Sequence, residues 1–175
     1  MDIMLVTVLV AFQAGSHHET PRPSAPLSVC DVVINDPTRL NGEIIKVRGI
    51  LGGTQEGTWL VGECKTRLVT KGLTWGNDLS VYVDASNERI ARSWGRVRAK
   101  VKQLHGDSRR DDVWVTIIGR LETRASMDDE VLDTPHGRVT LGFGHMNGSP
   151  AEINVISVED VAIERRRDST ANQQK

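Results

Sequence analysis

The stretch EIIKVRGILGG, residues 43–53, decides the fold of this chain, because apolar side chains alternate along it and glycines interrupt it. The alternation predicts a β-strand over residues 43–51, with Ile45, Val47 and Gly49 on one face. The opposite face carries Ile44, Lys46, Arg48 and Ile50. A glycine inside a strand, such as Gly49, is typical of a sharp bend or a bulge, which small barrels need in order to close.

Four more strands are predicted downstream of this one, at residues 58–70, 79–83, 113–123 and 153–163, from their apolar and β-branched content. Gly119 lies inside the fourth strand as Gly49 lies inside the first. About 29 residues separate the last two strands, which is long for a plain connection. We therefore predict an extra strand within that connection, at residues 138–143.

A helix is predicted over residues 86–104, between the third and fourth strands. Its apolar positions recur at spacings of four and three and are Ile90, Trp94, Val97, Val101 and Leu104. The triplet His105-Gly106-Asp107 is predicted to end the helix. A shorter helix is predicted at residues 27–40, with Ser28 as its N-cap, Asp31 at the third position after the cap and an interruption at Asp36-Pro37.

The order of these elements is helix, strand, strand, strand, helix, strand, strand. A helix between the third and fourth of five strands is typical of the oligonucleotide/oligosaccharide-binding (OB) barrel. We therefore predict a mainly β protein with a five-stranded OB-like barrel and a short N-terminal helix. The alternative is an open α+β sheet made of the same elements.

Two stretches near the ends of this domain carry a resemblance to known proteins. SVCDVVINDPTRLNGEIIKVRG contains the short helix, a turn glycine and a first strand with V-x-G, and GFGHMNGSPAEINVISVEDV contains the last loop and strand. In both, the chain resembles exported bacterial OB-fold-like proteins of unknown function, over roughly residues 28–163. The resemblance implies the barrel and no particular activity, because OB folds bind many kinds of ligand.

The first residues indicate export. An apolar run of about ten residues is too short to span a bilayer and is followed by Ala14-Gly15-Ser16, so we predict a signal peptide at residues 1–16. The alternative is a short buried N-terminal strand or helix. Residues 17–27 are predicted to be a linker, residues 28–163 the OB-like domain and residues 164–175 a disordered polar tail. We expect no transmembrane span in the mature chain, and a periplasmic or secreted location.

The chain has two cysteines, Cys30 and Cys64. In an exported protein, two cysteines most simply form one disulfide. Closing a loop of about 35 residues would stabilise the fold by roughly 3–4 kcal/mol in the chain-entropy model. The alternative, two buried free thiols, is favoured if the protein is cytosolic.

Charge and aromatic content argue against nucleic acid as the partner. The formal net charge is −1 and aromatic residues make up 4% of the chain. The chain therefore has no net positive charge to attract nucleic acid and few aromatic side chains on which bases could stack. A basic stripe on the predicted helix is the exception, and it can meet phosphates or anionic lipid headgroups. The commoner interpretation is a solvated helix face, which acids at residues 128–133 can partly neutralise.

The predicted ligand site lies on the outer face of the first three strands. Trp59 and Tyr82 fall in the second and third strands, and Arg67 lies near them. Trp75 falls in a loop and is predicted to be exposed. His145 lies in the sequence GFGH of the connection that rims an OB ligand site. We predict that these five residues contact the ligand.

No recognisable nucleophile turn, C-x-x-C pair, phosphate loop or dinucleotide fingerprint is present. The leading hypothesis is a non-catalytic exported binding or interaction module, without a cofactor or bound metal, for an unidentified envelope ligand or protein. One alternative is a metal-dependent enzyme that uses His136, His145 and an acidic partner. The other is a purely structural envelope protein.

Overall fold

All five predicted strands form and close into a barrel in the computed structural model, which describes residues 25–104 and 111–165. The first three barrel strands are β1 (Ile44–Gly53), β2 (Thr58–Val61) and β3 (Asp78–Tyr82). The last two are β4 (Asp111–Thr123) and β5 (Ala151–Arg165). The mainly β class predicted from the sequence is therefore confirmed.

The strand order around the barrel is β1-β2-β3-β5-β4, and β4 pairs again with β1. The β3–β5 pair is parallel, and the other four pairs are antiparallel. This order is the OB arrangement. The alternative of an open sheet is wrong, because the antiparallel ladder between β1 and β4 closes the structure.

Strand β1 belongs to two ladders that meet at Ile50, which pairs with both Val61 of β2 and Trp114 of β4. Gly49 precedes this junction and is buried, and a Cβ there would lie 2.6 Å from a methyl group of Val29. Glycine is needed at this position because the N-terminal helix packs directly on the strand. The register of β1 runs without interruption, and the irregularities of the barrel occur in β5 instead.

The predicted N-terminal helix over residues 27–40 divides into two short pieces. Helix α1 spans Val29–Val33, and a 3-10 turn spans Pro37–Leu40. Asp36 has a left-handed backbone conformation and precedes Pro37, so the first helix cannot continue through this point. The capping box predicted from Ser28 and Asp31 is present at the start of α1.

Helix α2 spans Glu88–Leu104 between β3 and β4, as predicted. Trp94 and Val97 are buried on the barrel, and Ile90 and Val101 pack half-buried beside them. The inward faces of the strands complete this core, with Ile45 and Val47 pointing inward as predicted from alternation. The helix-ending triplet predicted at residues 105–107 lies outside the described residues.

The second strand is shorter than predicted, because β2 ends at Val61. The chain then forms a small hairpin, Val69–Thr70 with Leu73–Thr74. In the connection between β4 and β5, Val131–Thr134 pairs with Gly137–Thr140, which confirms the extra strand in a slightly different place. We name these two connections, residues 62–77 and 124–150, the lobe. The lobe has its own small core of Trp75, Met127 and Val131, with Leu68 and Leu73 packed beside them.

A disulfide joins Cys30 of α1 to Cys64 of the lobe, with 5.4 Å between the Cα atoms. The predicted pairing is confirmed. The bond ties the N-terminal helix to the segment that leaves β2.

The predicted ends of the domain shift by a few residues. Leu27–Ser28 pairs in parallel with Val47 and Arg48, so the folded part begins inside the predicted linker. Glu164 and Arg165 belong to β5 rather than to a disordered tail. Residues 1–24 and 166–175, with the predicted signal peptide, lie outside the described residues. Within the described ranges, no helix combines the length and the apolar character needed to cross a membrane.

Candidate ligand-binding groove

An open groove of about 600 Å³ lies between the outer face of β2 and β3 and the lobe. Its floor consists of outward-facing strand residues, whose neighbours along each strand, Leu60 and Leu79, point into the core. Gly144, Gly148 and Ser149 of the lobe line one side. The groove therefore occupies the strand face where the sequence predicted the ligand site.

Trp59 provides the flat apolar surface of the groove. It is half-buried, pairs across the ladder with Ser80 of β3, and packs its indole against Gly52 of β1. Because β1 has no side chain at Gly52, the indole can pack directly against that strand. A ring held in this way can contact a ligand with little further loss of side-chain freedom.

Two serine hydroxyls hold two carboxylates in or beside the groove. Ser80 donates a hydrogen bond of 2.9 Å to Glu152 of β5. Ser149 donates to Asp78 and thereby ties the lobe to β3. The backbone N–H of Gly76 also donates to the carbonyl of Gly148, at 3.2 Å, and links the two connections of the lobe. The polar groups of the groove are therefore fixed in position before any ligand binds.

Asn77 differs from these groups. Its Oδ1 atom is buried and has no hydrogen-bond partner among the described residues, and the residue lines the groove. A buried acceptor without a donor costs about 1–3 kcal/mol, so native structures rarely retain one. Because the atom is buried, a ligand in the groove cannot reach it without movement of the side chain.

Arg67 contributes a cation to the lining of the groove, as predicted. Its side chain is exposed and makes no hydrogen bond or ion pair with the described residues. Asp78 lines the groove and Glu152 lies beside it, so the acidic groups there outnumber this cation. Such a balance opposes polyanions and suits ligands with little net charge.

The prediction that Trp75 is an exposed ligand contact is wrong. Trp75 is 1% exposed, and its Nε1–H donates to Thr70 Oγ1 at 3.1 Å. Gly142 packs so closely against this ring that a Cβ there would lie 2.7 Å from it. Trp75 is therefore the centre of the lobe core. A tryptophan between strands was interpreted as exposed because packing of one connection against another leaves no periodic pattern in the sequence.

Of the remaining predicted site residues, Tyr82 lies outside the groove lining and His145 is described only by its backbone. Tyr82 is on the same outer face of β3 as Ser80 and is 53% exposed, beyond the residues that line the groove. His145 begins a single 3-10 turn, His145–Asn147, in the rim, and its side chain is outside the described residues. His136 lies at the turn of the outer hairpin. No cluster of three or more metal-ligating side chains occurs in the part of the chain that the structure describes.

Sequence reasoning missed Asn77, Asp78, Ser80, Ser149 and Glu152. Asp78 and Ser80 alternate with the buried Leu79 and Val81, so their outward position could have been read from the strand pattern. Asn77 and Ser149 lie in connections, where alternation gives no information. Their place in the groove depends on how the lobe packs.

Comparison with known proteins adds no candidate function. A scan against protein-family models, a search of curated proteins and a search of solved structures each found no match to this chain.

Proposed function

We propose that this chain is a non-catalytic exported binding module whose groove holds a segment of a neutral oligosaccharide. The observation that carries the proposal is the open groove itself, in which the half-buried Trp59 lies beside polar groups that hydrogen bonds already hold in place. A sugar hydroxyl can donate to a carboxylate there and accept from a neighbouring group at the same time.

The rest of the groove supports the same ligand chemistry. Trp59 offers a flat apolar surface for a sugar ring, and Arg67 and Asp78 offer a donor and an acceptor at the sides. Pockets that combine an apolar wall with a few fixed polar groups are typical of small-molecule sites. We favour binding over turnover because Asp78 and Glu152 each already accept a serine hydroxyl.

Export is supported by the disulfide between Cys30 and Cys64, because disulfides persist mainly in oxidising compartments. The signal peptide at residues 1–16 stays a prediction. The mass of the unreduced protein from its own host shows whether these residues are removed.

The binding test uses neutral tetrasaccharides of glucose and of N-acetylglucosamine, titrated while the tryptophan fluorescence is recorded. We expect saturable binding that Trp59→Ala weakens at least tenfold, about 1.4 kcal/mol, because an indole face covers on the order of 100 Å² of ligand.

The matched control is Trp114→Ala. Trp114 is half-buried on the outer face of β4, beneath the guanidinium of Arg48, and does not line the groove. This variant should bind as tightly as the unmodified protein. The proposal would be overturned if both tryptophan variants weakened oligosaccharide binding equally. It would also be overturned if single-stranded oligothymidylate bound more tightly than the oligosaccharides at 0.15 M salt.

A further inference from the structure

A second cleft, of about 490 Å³, lies between α2 and β5, away from the groove lining. Arg89, Arg92 and Arg96 line its helix side. Their spacings of three and four place them along one face of the helix. The strand side consists of residues 156–158, and Ser93 completes the lining. The described lining therefore contains three cations and no acidic side chain.

The cleft is built by an irregularity in β5. The register between β4 and β5 shifts between Val155 and Ser157, so Ile156 has no partner in the ladder. The backbone N–H of Val158 donates to Ser93 Oγ at 3.2 Å, which fixes the helix against the irregular part of the strand. The exposed arginines thus lie beside the irregular part of β5.

The three cations are poorly neutralised by the chain itself. Arg92 pairs with Glu88 at 3.1 Å, but both side chains are largely exposed, and such pairs contribute little. The side chains of Arg89 and Arg96 make no hydrogen bond or ion pair with the described residues. Glu130 and Asp133, which the sequence suggested as neutralising groups, pair with Arg124 and Arg138 of the lobe instead.

We infer that this cleft binds a phosphate group. A phosphate monoester has three terminal oxygens, and each can accept from one guanidinium fork, whereas a single carboxylate has only two oxygens. The half-buried Ser157 adds a hydroxyl donor to the same lining. The same chemistry occurs in a soluble phosphate ester and in the headgroup of an anionic lipid, and the experiment separates these sources.

The test uses sn-glycerol 3-phosphate in calorimetric titrations, and phosphatidylcholine vesicles with and without phosphatidic acid in a flotation assay. We expect binding of at least one phosphate probe, weakened about tenfold or more by Arg89→Gln and by Arg96→Gln, since each removes a charge-assisted hydrogen bond. Binding of the soluble ester identifies a soluble ligand. Binding confined to vesicles that contain phosphatidic acid identifies a lipid headgroup.

The control is Arg98→Gln, which makes the same charge change on the same helix. Arg98 lines a different depression, between α2 and the ends of β1 and β2. It should leave phosphate binding within about twofold of the unmodified protein. The inference is overturned if neither probe binds, if citrate binds as tightly as the phosphate ester, or if Arg98→Gln weakens binding as much as Arg96→Gln. Circular dichroism of each variant verifies that α2 is retained.

Discussion

Ser28 and Asp31 are held together at the start of α1. The carboxylate of Asp31 accepts from the hydroxyl of Ser28 at 2.7 Å and from its backbone N–H at 2.9 Å. These two hydrogen bonds, the hydroxyl first, lower the pKa of Asp31 below its ordinary value of 3.8. A carboxylate whose pKa is lower in the folded state stabilises the fold when it is ionised.

This residue pair predicts a specific dependence of stability on pH. The contribution of Asp31 is fully present above its unfolded pKa, near 3.8, and is lost as the pH falls through the lower folded pKa. Asp31→Asn should therefore reduce the free energy of unfolding by about 0.5–1 kcal/mol at pH 7, as expected for a helix cap. The difference from the unmodified protein should shrink below pH 4. Urea unfolding between pH 7 and pH 2.5 measures it.

The control for this prediction is Asp129→Asn. Asp129 is exposed, and its side chain makes no hydrogen bond or ion pair with the described residues. Its substitution should change stability little and without the same pH dependence. If the two aspartate variants follow the same curve, the cap does not act through the charge of Asp31.

At this scale the sequence identified only part of the groove. Trp59 of β2 and Arg67 of the lobe line it as predicted, whereas Tyr82 lies beyond its lining. Trp75 was misinterpreted and Asn77 was missed, although both come just before β3. Their environments depend on contacts between residues 62–77 and residues 124–150. Neither connection carries a repeating pattern that would show those contacts.

At the scale of elements, the lobe is a small unit with its own buried tryptophan. Trp75→Phe removes the Nε1–H donor to the buried Thr70 and leaves part of the ring volume empty. We expect a loss of about 1–3 kcal/mol of stability in the lobe. Hydrogen exchange should show the lobe amides exchanging at least tenfold faster, while amides of the β1–β4 ladder keep their protection.

Trp114→Phe is the matched control for the lobe. Trp114 is half-buried and is contacted by the guanidinium of Arg48, 5.3 Å from the ring centre. This substitution should leave exchange in the lobe unchanged. Equal effects of the two variants on the lobe amides would contradict the role of Trp75 as its central packing residue.

The larger elements were predicted best. Helix α2 and strands β4 and β5 were found to within two residues at each end, because their apolar periodicity is long and uninterrupted. The N-terminal helix and the second strand were predicted too long. The interruption at Asp36-Pro37 was predicted and is confirmed, but the end of β2 at Val61 is set by packing rather than by the apolar pattern.

At the scale of the whole molecule, the disulfide joins the part of the chain that precedes the barrel to the lobe that borders the groove. Replacing both Cys30 and Cys64 by serine should reduce the free energy of unfolding by roughly 3–4 kcal/mol, from the loop of 34 residues that the bond closes. The barrel core itself should still fold. Urea unfolding of the oxidised protein and of the double variant measures the difference.

Reductant provides the control for this prediction. It should lower the stability of the unmodified protein toward that of the double variant and leave the double variant unchanged. Two free thiols in unreduced protein from the native compartment would contradict the disulfide. Because Gly62 of the groove lining lies beside both sulfur atoms, loss of the bond should also loosen that wall.

The order of elements favoured the barrel, and the ladder between β1 and β4 excludes the open sheet that the same order allowed. The order of elements does not give the conformation of the connections between them. The groove wall, the lobe core and the cleft beside α2 all depend on side chains that meet only after the barrel has closed.

The way the barrel closes also sets when the protein can fold. Strand β5 supplies the partner for β3 at residues 152–154 and most of the partners for β4. A nascent chain in which β5 has not yet been synthesised lacks one strand of the barrel, so its core cannot close. Folding of the barrel is therefore delayed until residues 151–165 have been synthesised, and the earlier strands stay unfolded until then.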